Sequence, residues 1–127
     1  MNAADTNVVV RLLVRDDVRQ TAVAERFVAR GAWVSLLVLL ETCWVLGSSY
    51  GFGTSELGEA VAMLLQHDRL VLEQPALVSA ALEEFRVHGK VGFADCLILE
   101  AARGAGNLPL GTFDRELAEL ADTQRLR

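Results

Sequence analysis

Trp33-Val34-Ser35-Leu36-Leu37-Val38-Leu39-Leu40-Glu41-Thr42-Cys43-Trp44-Val45-Leu46-Gly47-Ser48-Ser49 decides what this chain folds into. Trp33 to Leu36 reads as a short buried strand. The run from Leu37 to Ser49 is too long for a strand, so it is predicted to be a buried helix. A strand feeding directly into a helix is the unit from which α/β domains are built.

Working outward, the same change of period recurs. Upstream stand a short strand ending at Asp5, a helix from Asn7 to Val14, and a second helix from about Asp16 to Arg30, with Val23 and Phe27 on one face and Gly31 closing it. Downstream, Gly51 and Gly53 end the apolar helix. Thr54 can cap the next one, which has Glu56 in its first turn and Leu57, Val61, Leu64 and Leu65 facing inward. Arg69 to Leu72 is a third strand. Pro75 opens a helix whose inner face is Val78, Ala81, Leu82 and Phe85, and Gly89 follows it. Phe93 to Gly104 is a further helix, Leu108 to Thr112 a strand, Arg115 to Ala121 a short last helix, and Arg125-Leu126 an edge strand. This alternation predicts an α/β fold with a mostly parallel sheet. With no long linker, repeat or low-complexity stretch, residues 1–127 are expected to form a single domain.

The composition narrows the function. Over 127 residues, 52% are hydrophobic and the net charge is −5, which excludes disorder. No run approaches the ~20 apolar residues of a membrane span, and no signal peptide is visible at the start, so no membrane association and a cytoplasmic location are expected. Cys43 and Cys96 lie in apolar stretches without metal-ligand spacing and read as two buried thiols. The acidic balance lacks the basic surplus common in nucleic-acid-binding domains. The cations are, however, eleven arginines and a single lysine, Lys90, and the arginine fork suits phosphates and carboxylates.

Four carboxylates need an explanation. Glu41 has Leu37, Val38, Trp44 and Val45 as its helical neighbours. A carboxylate buried there requires a cation, an arginine or a hydrogen-bond donor; otherwise that helix face is exposed and Glu41 reaches water. Asp5 and Asp114 each end a strand and Asp95 opens a helix. Taken singly, all three are explained as caps or first-turn acids. Taken jointly they carry more, because ligands of open parallel sheets bind outside the carboxyl ends of the strands. If the first strand and the Leu108–Thr112 strand were adjacent, Asp5, Glu41, Asp95 and Asp114 would converge. Such a cluster repels itself unless a cation neutralises it, and hard oxygen donors suit Mg²⁺ or Mn²⁺. These side chains account for four of the five surplus negative charges, so the acidic balance is no bar to an RNA substrate.

Four motifs lie in order along the chain: Asp-Thr-Asn-Val-Val-Val-Arg at 5–11, Leu-Leu-Glu-Thr-Cys-Trp-Val-Leu at 39–46, Phe-Ala-Asp-Cys-Leu-Ile at 93–98 and Thr-Phe-Asp-Arg-Glu-Leu at 112–117. On these the chain resembles a PIN-domain ribonuclease of the VapC type, the toxin of a type II toxin-antitoxin pair, over essentially its whole length. The resemblance implies a three-layer α/β/α sandwich with four to five central strands. It also implies an acidic metal-binding quartet of Asp5, Glu41, Asp95 and Asp114, supported through hydrogen bonds by Asn7 and Thr112. Asp5, Asp95 and Asp114 are then direct or water-mediated ligands, while Glu41 is a further ligand or positions the attacking water. The expected reaction is metal-assisted hydrolysis of RNA to 5′-phosphate and 3′-hydroxyl ends. The expected partners are a small antitoxin, whose tail blocks the site with a basic residue, and a second copy of the chain. The sequence departs from the family at Gly92, where many relatives carry an aspartate.

Other readings carry less. Gly47-Ser48-Ser49-Tyr50-Gly51 fits the G-x-S-x-G pattern, with Asp68 and His88 following, but a nucleophile elbow needs a strand before its serine and here a helix precedes. His67 and His88 sit near helix ends. Arg11, Arg15, Arg103 and Arg115 are candidate phosphate contacts that also read as solvated surface arginines. Trp44, Val45, Leu46, Tyr50 and Phe52, with the helix from Thr54, could form a groove for a partner helix or be core. A non-catalytic PIN-like module that binds RNA or protein is the alternative to an enzyme.

Overall fold

Ser35 divides the strand from the helix in the deciding stretch. Its hydroxyl accepts a hydrogen bond from the Val38 amide at 3.1 Å, capping a helix that begins at Leu36. The far end closes at Gly51, whose φ of +68° lets its amide turn back onto the Leu46 carbonyl. The computed structural model describes residues 1–127, which fall into two compact units, Met1–Pro75 and Ala76–Arg127.

The first unit runs β1 (Asn2–Ala3), α1 (Thr6–Val14), α2 (Val18–Val28), β2 (Ala32–Val34), α3 (Leu36–Tyr50), α4 (Thr54–Gln66) and β3 (Leu70–Leu72). Its three strands form a parallel sheet in the order β1-β2-β3, with Ala3 opposite Trp33 and Val34 opposite Leu72. Parallel neighbours need helical crossovers, and the helices between these strands supply them. Val9, Val10, Val34, Leu39, Leu46, Val61 and Leu64 are buried, each worth about 1.5–3 kcal/mol when fully removed from water.

The second unit holds nearly all of α5 (Pro75–Val87), with α6 (Phe93–Ala105), β4 (Leu110–Thr112), a single 3₁₀ turn over Leu117–Glu119, and β5 (Thr123–Arg125). β4 and β5 pair in parallel, Leu110 opposite Thr123. Val78, Ala81, Leu82 and Phe85 are all buried, and the Phe85 ring meets that of Phe93 edge-on at 5.8 Å. Arg103 ties this unit together. Its guanidinium donates to Glu84, Glu100 and Asp122 at 2.8, 2.7 and 2.9 Å and to the Ala121 carbonyl. Its pKa is raised, chiefly by the Glu84 hydrogen bond, so it is an internal clamp and no phosphate contact.

The fold is α/β with parallel pairing throughout, as expected, but its details differ; the cap of α4, for one, is Gly53, and Thr54 is the first helical residue. Five strands form one ladder of three and one of two; the ladder partner of β1 is β2, and that of β4 is β5. The last helix is only a 3₁₀ turn. In α2 the buried face is Thr21, Ala24 and Val28, while Val23 and Phe27 are exposed. The face that α2 turns toward α1 is the one that carries Thr21, which donates its hydroxyl to the Arg11 carbonyl at 3.4 Å. No helix is long and apolar enough to cross a membrane.

Candidate active site

The first unit presents two of the expected carboxylates at the N-terminus of α1. Asp5 follows β1 in extended conformation, and its Oδ1 accepts from the Val8 amide at 3.2 Å, satisfying one of the amides a helix start leaves free. Glu41, on α3, receives a hydrogen bond from the Thr6 hydroxyl of α1. Thr6 is buried, so this contact pins α3 to the start of α1 and aims the carboxylate. Glu41 itself lies on an exposed face, beside Leu37 and Trp44, which are 79% and 70% exposed. Both alternatives for this residue therefore hold in part: a donor is present, and the helix face is open to water.

Sequence reasoning missed Thr6. The resemblance assigns supporting hydrogen bonds to Asn7 and Thr112; Asn7 is exposed and lines a cavity beside α1. The available signal was position: Thr6 is the first helical residue after the Asp5 cap, and its side chain points inward as Asn7 points out.

The second unit presents the other two carboxylates. Asp95 lies in the first turn of α6, after a cap position held by Gly92, which has no side chain to offer. Its pKa is raised, first by burial and then by the negative charge of Asp114. Asp114 follows β4 and is fixed by its surroundings. Its amide donates to the Thr112 hydroxyl at 2.9 Å, and its Oδ1 accepts from the Glu116 and Leu117 amides at 2.8 and 2.9 Å. The Thr112 hydroxyl thus holds the backbone from which Asp114 projects.

In neither unit do three or more His, Cys, Asp or Glu side chains gather into a group that could hold a metal ion. Each unit supplies a pair. The donors in each pair are all oxygen, the type a hard metal ion takes, and a cation beside Asp95 would relieve the charge that Asp114 exerts on it.

Several other chemistry-bearing side chains are occupied or inert. Burial pushes the Cys43 thiol up to about 12. Burial does the same to Cys96, to about 11, with help from Glu84, Asp95 and Glu100. Ser48 donates to the Trp44 carbonyl within α3, and His67 Nδ1 accepts from the Arg69 amide. Arg11 is held by Asp16, Gln20 and Tyr50, and Arg15 pairs with Glu25. Of the residues suggested for a partner groove, Leu46 is core and Trp44 is exposed.

The PIN-domain profile matches residues 3–123, and the chain belongs to the PIN-domain family. PIN domains are generally nucleases, hydrolases acting on nucleic acid, and typically use divalent metal ions. No curated protein and no solved structure matches the chain.

Proposed function

We propose that the chain is a Mg²⁺- or Mn²⁺-dependent endoribonuclease of the VapC toxin type. The observation that carries this reading is the placement of two aspartates in one unit: Asp95 in the first turn of α6, its pKa raised by burial and then by the charge of Asp114, and Asp114 after β4, locked in place by three hydrogen bonds. Asp5, Glu41, Asp95 and Asp114 are the carboxylates that would hold the metal. When bound, the metal supplies charge neutralisation at the phosphodiester and a more acidic water.

The protein's own contribution is positioning. Thr6 orients Glu41, leaving its second oxygen to accept a proton or fix a water. Thr112 and the Glu116 and Leu117 amides orient Asp114. The carboxylates also set the inhibitor's chemistry: a small antitoxin would present a basic residue to them. A homodimer and a cytoplasmic location complete the reading.

Gly92 favours the rival, a non-catalytic RNA- or protein-binding module, because it withholds one family carboxylate. Incubation of antitoxin-free protein with structured RNA plus Mg²⁺, Mn²⁺ or EDTA separates the two. Cleavage that needs metal and is lost in Asp95→Asn supports the nuclease. RNA binding without cleavage under any metal supports the module.

A further inference from the structure

The partners of Arg103 lie on three parts of the second unit: Glu84 on α5, Glu100 on α6 itself, and Ala121 and Asp122 in the turn before β5. We propose that Arg103 is a positioning residue of the carboxylate site: through its bonds to Ala121 and Asp122 it sets where Asp114 stands relative to Asp95. The proposal rests on the metal-dependent nuclease reading and deepens it, because it gives the site a residue that touches neither metal nor substrate.

Three observations carry it. First, the two aspartates leave different elements. Asp95 belongs to the first turn of α6 and Asp114 follows β4, so their separation depends on how α6 is tied to the β4–β5 ladder. Arg103 is the side chain of α6 that makes this tie, its Nε donating to Asp122 Oδ2 at 2.9 Å and its Nη2 to the Ala121 carbonyl at 3.0 Å. Secondly, the turn it holds has an unusual backbone. Asp122 has a φ of +66°, a region that residues bearing a side chain seldom adopt, and Arg103 grips both the peptide before this residue and the carboxylate on it. Thirdly, the turn is wired to the strand. The Asp122 carbonyl accepts from the Leu110 amide at 2.8 Å, where β4 begins, and β4 ends at Thr112, whose hydroxyl accepts from the Asp114 amide. Arg103 stands eight residues, about 12 Å, along α6 from Asp95, so one connected path joins the two aspartates.

Charge balance does not explain the arrangement. Glu84 and Glu100 already outweigh the single positive charge at Nη1, so Asp122 adds a bond of fixed direction and no neutrality. Groups that orient a metal's ligands are ordinarily held in this way.

The test is Mn²⁺ affinity of the full chain by calorimetry, with the thermal midpoint of each variant and, in EDTA, the exchange of the Leu110 amide followed by NMR. Asp122→Ala cuts the arm to the turn and leaves Arg103 its two glutamates. It should weaken Mn²⁺ binding about tenfold or more and speed exchange at Leu110 in metal-free protein. The Asp122 side chain is half-exposed, so its loss opens no cavity. Asp122→Asn keeps an acceptor oxygen and the tolerance for positive φ, and should restore both readouts. Arg103→Lys keeps the charge without the planar fork and should behave as Asp122→Ala does. Glu84→Ala removes a bond from the same guanidinium on the α5 side; it should lower the midpoint and leave Mn²⁺ affinity and Leu110 exchange unchanged. An arginine that merely stabilises the unit would give Asp122→Ala and Glu84→Ala affinities that both follow their midpoints, or that both equal the wild type's. Either result overturns the positioning role and leaves the nuclease reading standing. A wild type that binds no Mn²⁺ overturns that reading, and the positioning role falls with it.

Discussion

The two carboxylate pairs are built alike and satisfied differently. At the start of α1, Asp5 and Glu41 each have a local donor, the Val8 amide and the Thr6 hydroxyl. In the second unit, Asp114 takes two amides, while Asp95 is partly buried, faces the charge of Asp114 and has its pKa raised in consequence. A capped carboxylate is stable without any ligand, so the first pair has a structural role whatever else it does. Asp95, in the first turn of α6, accepts no such hydrogen bond, and burial and the charge of Asp114 oppose its ionisation.

Substitutions at Asp95 give the largest expected effect. Asp95→Asn should reduce RNA cleavage by at least about a hundredfold, the upper range for residues that merely support a metal ligand. It should also raise the thermal midpoint of metal-free protein. The sign follows from the raised pKa: below the ordinary aspartate value, about 3.9, the protonated side chain contributes its full stability, and that contribution is lost as pH rises through the raised value. Thermal scans across this window should show a pH dependence in the wild type that the variant lacks. A variant that loses stability instead would make Asp95 a structural first-turn acid.

Asp5 is expected to behave in the opposite way. Asn caps helices as well as Asp, so Asp5→Asn should lose cleavage to a similar degree with its midpoint unchanged. Asp5→Ala should lose about a further 1 kcal/mol of stability by urea unfolding. Equal midpoints for the two variants would show that the cap contributes nothing.

Smaller effects separate orientation from ligation. Thr6→Val removes the donor to Glu41 and should lower kcat/KM by about ten- to a hundredfold, with metal affinity following it. An unchanged rate would leave that hydrogen bond to packing alone. The smallest effect is expected at Gly92, where a Cβ would meet no atom within 4 Å. Gly92→Asp should therefore fit, gain a few tenths of a kcal/mol as the α6 cap, and tighten Mn²⁺ binding. A destabilised variant would show that the position is closed to a side chain.

Much of this was legible from residues alone, for identifiable reasons. The inner face of α5 is correct because Val78, Ala81, Leu82 and Phe85 are large, apolar and spaced for one face, so burial follows from periodicity. The same logic fails for α2, where Thr21 and Ala24 are buried while Val23 and Phe27 are exposed. Hydrophobicity ranks side chains by what water rejects, and it is blind to which face a neighbouring helix takes. Asp5 and Asp114 were legible as caps, and the structure shows both roles of that kind. Thr6 was not legible because its partner is 35 residues away, and a buried hydroxyl leaves no periodic trace. Glu41 was misjudged in part for a related reason: Leu37 and Trp44 made its surroundings look like core, yet both are exposed.

Titration of Mn²⁺ into purified protein by calorimetry tests, without relying on turnover, whether the Asp95–Asp114 pair holds a cation. Saturable binding to the wild type is expected, and it should be abolished, or weakened at least about tenfold, in Asp95→Asn. Identical heats from the two proteins would contradict it.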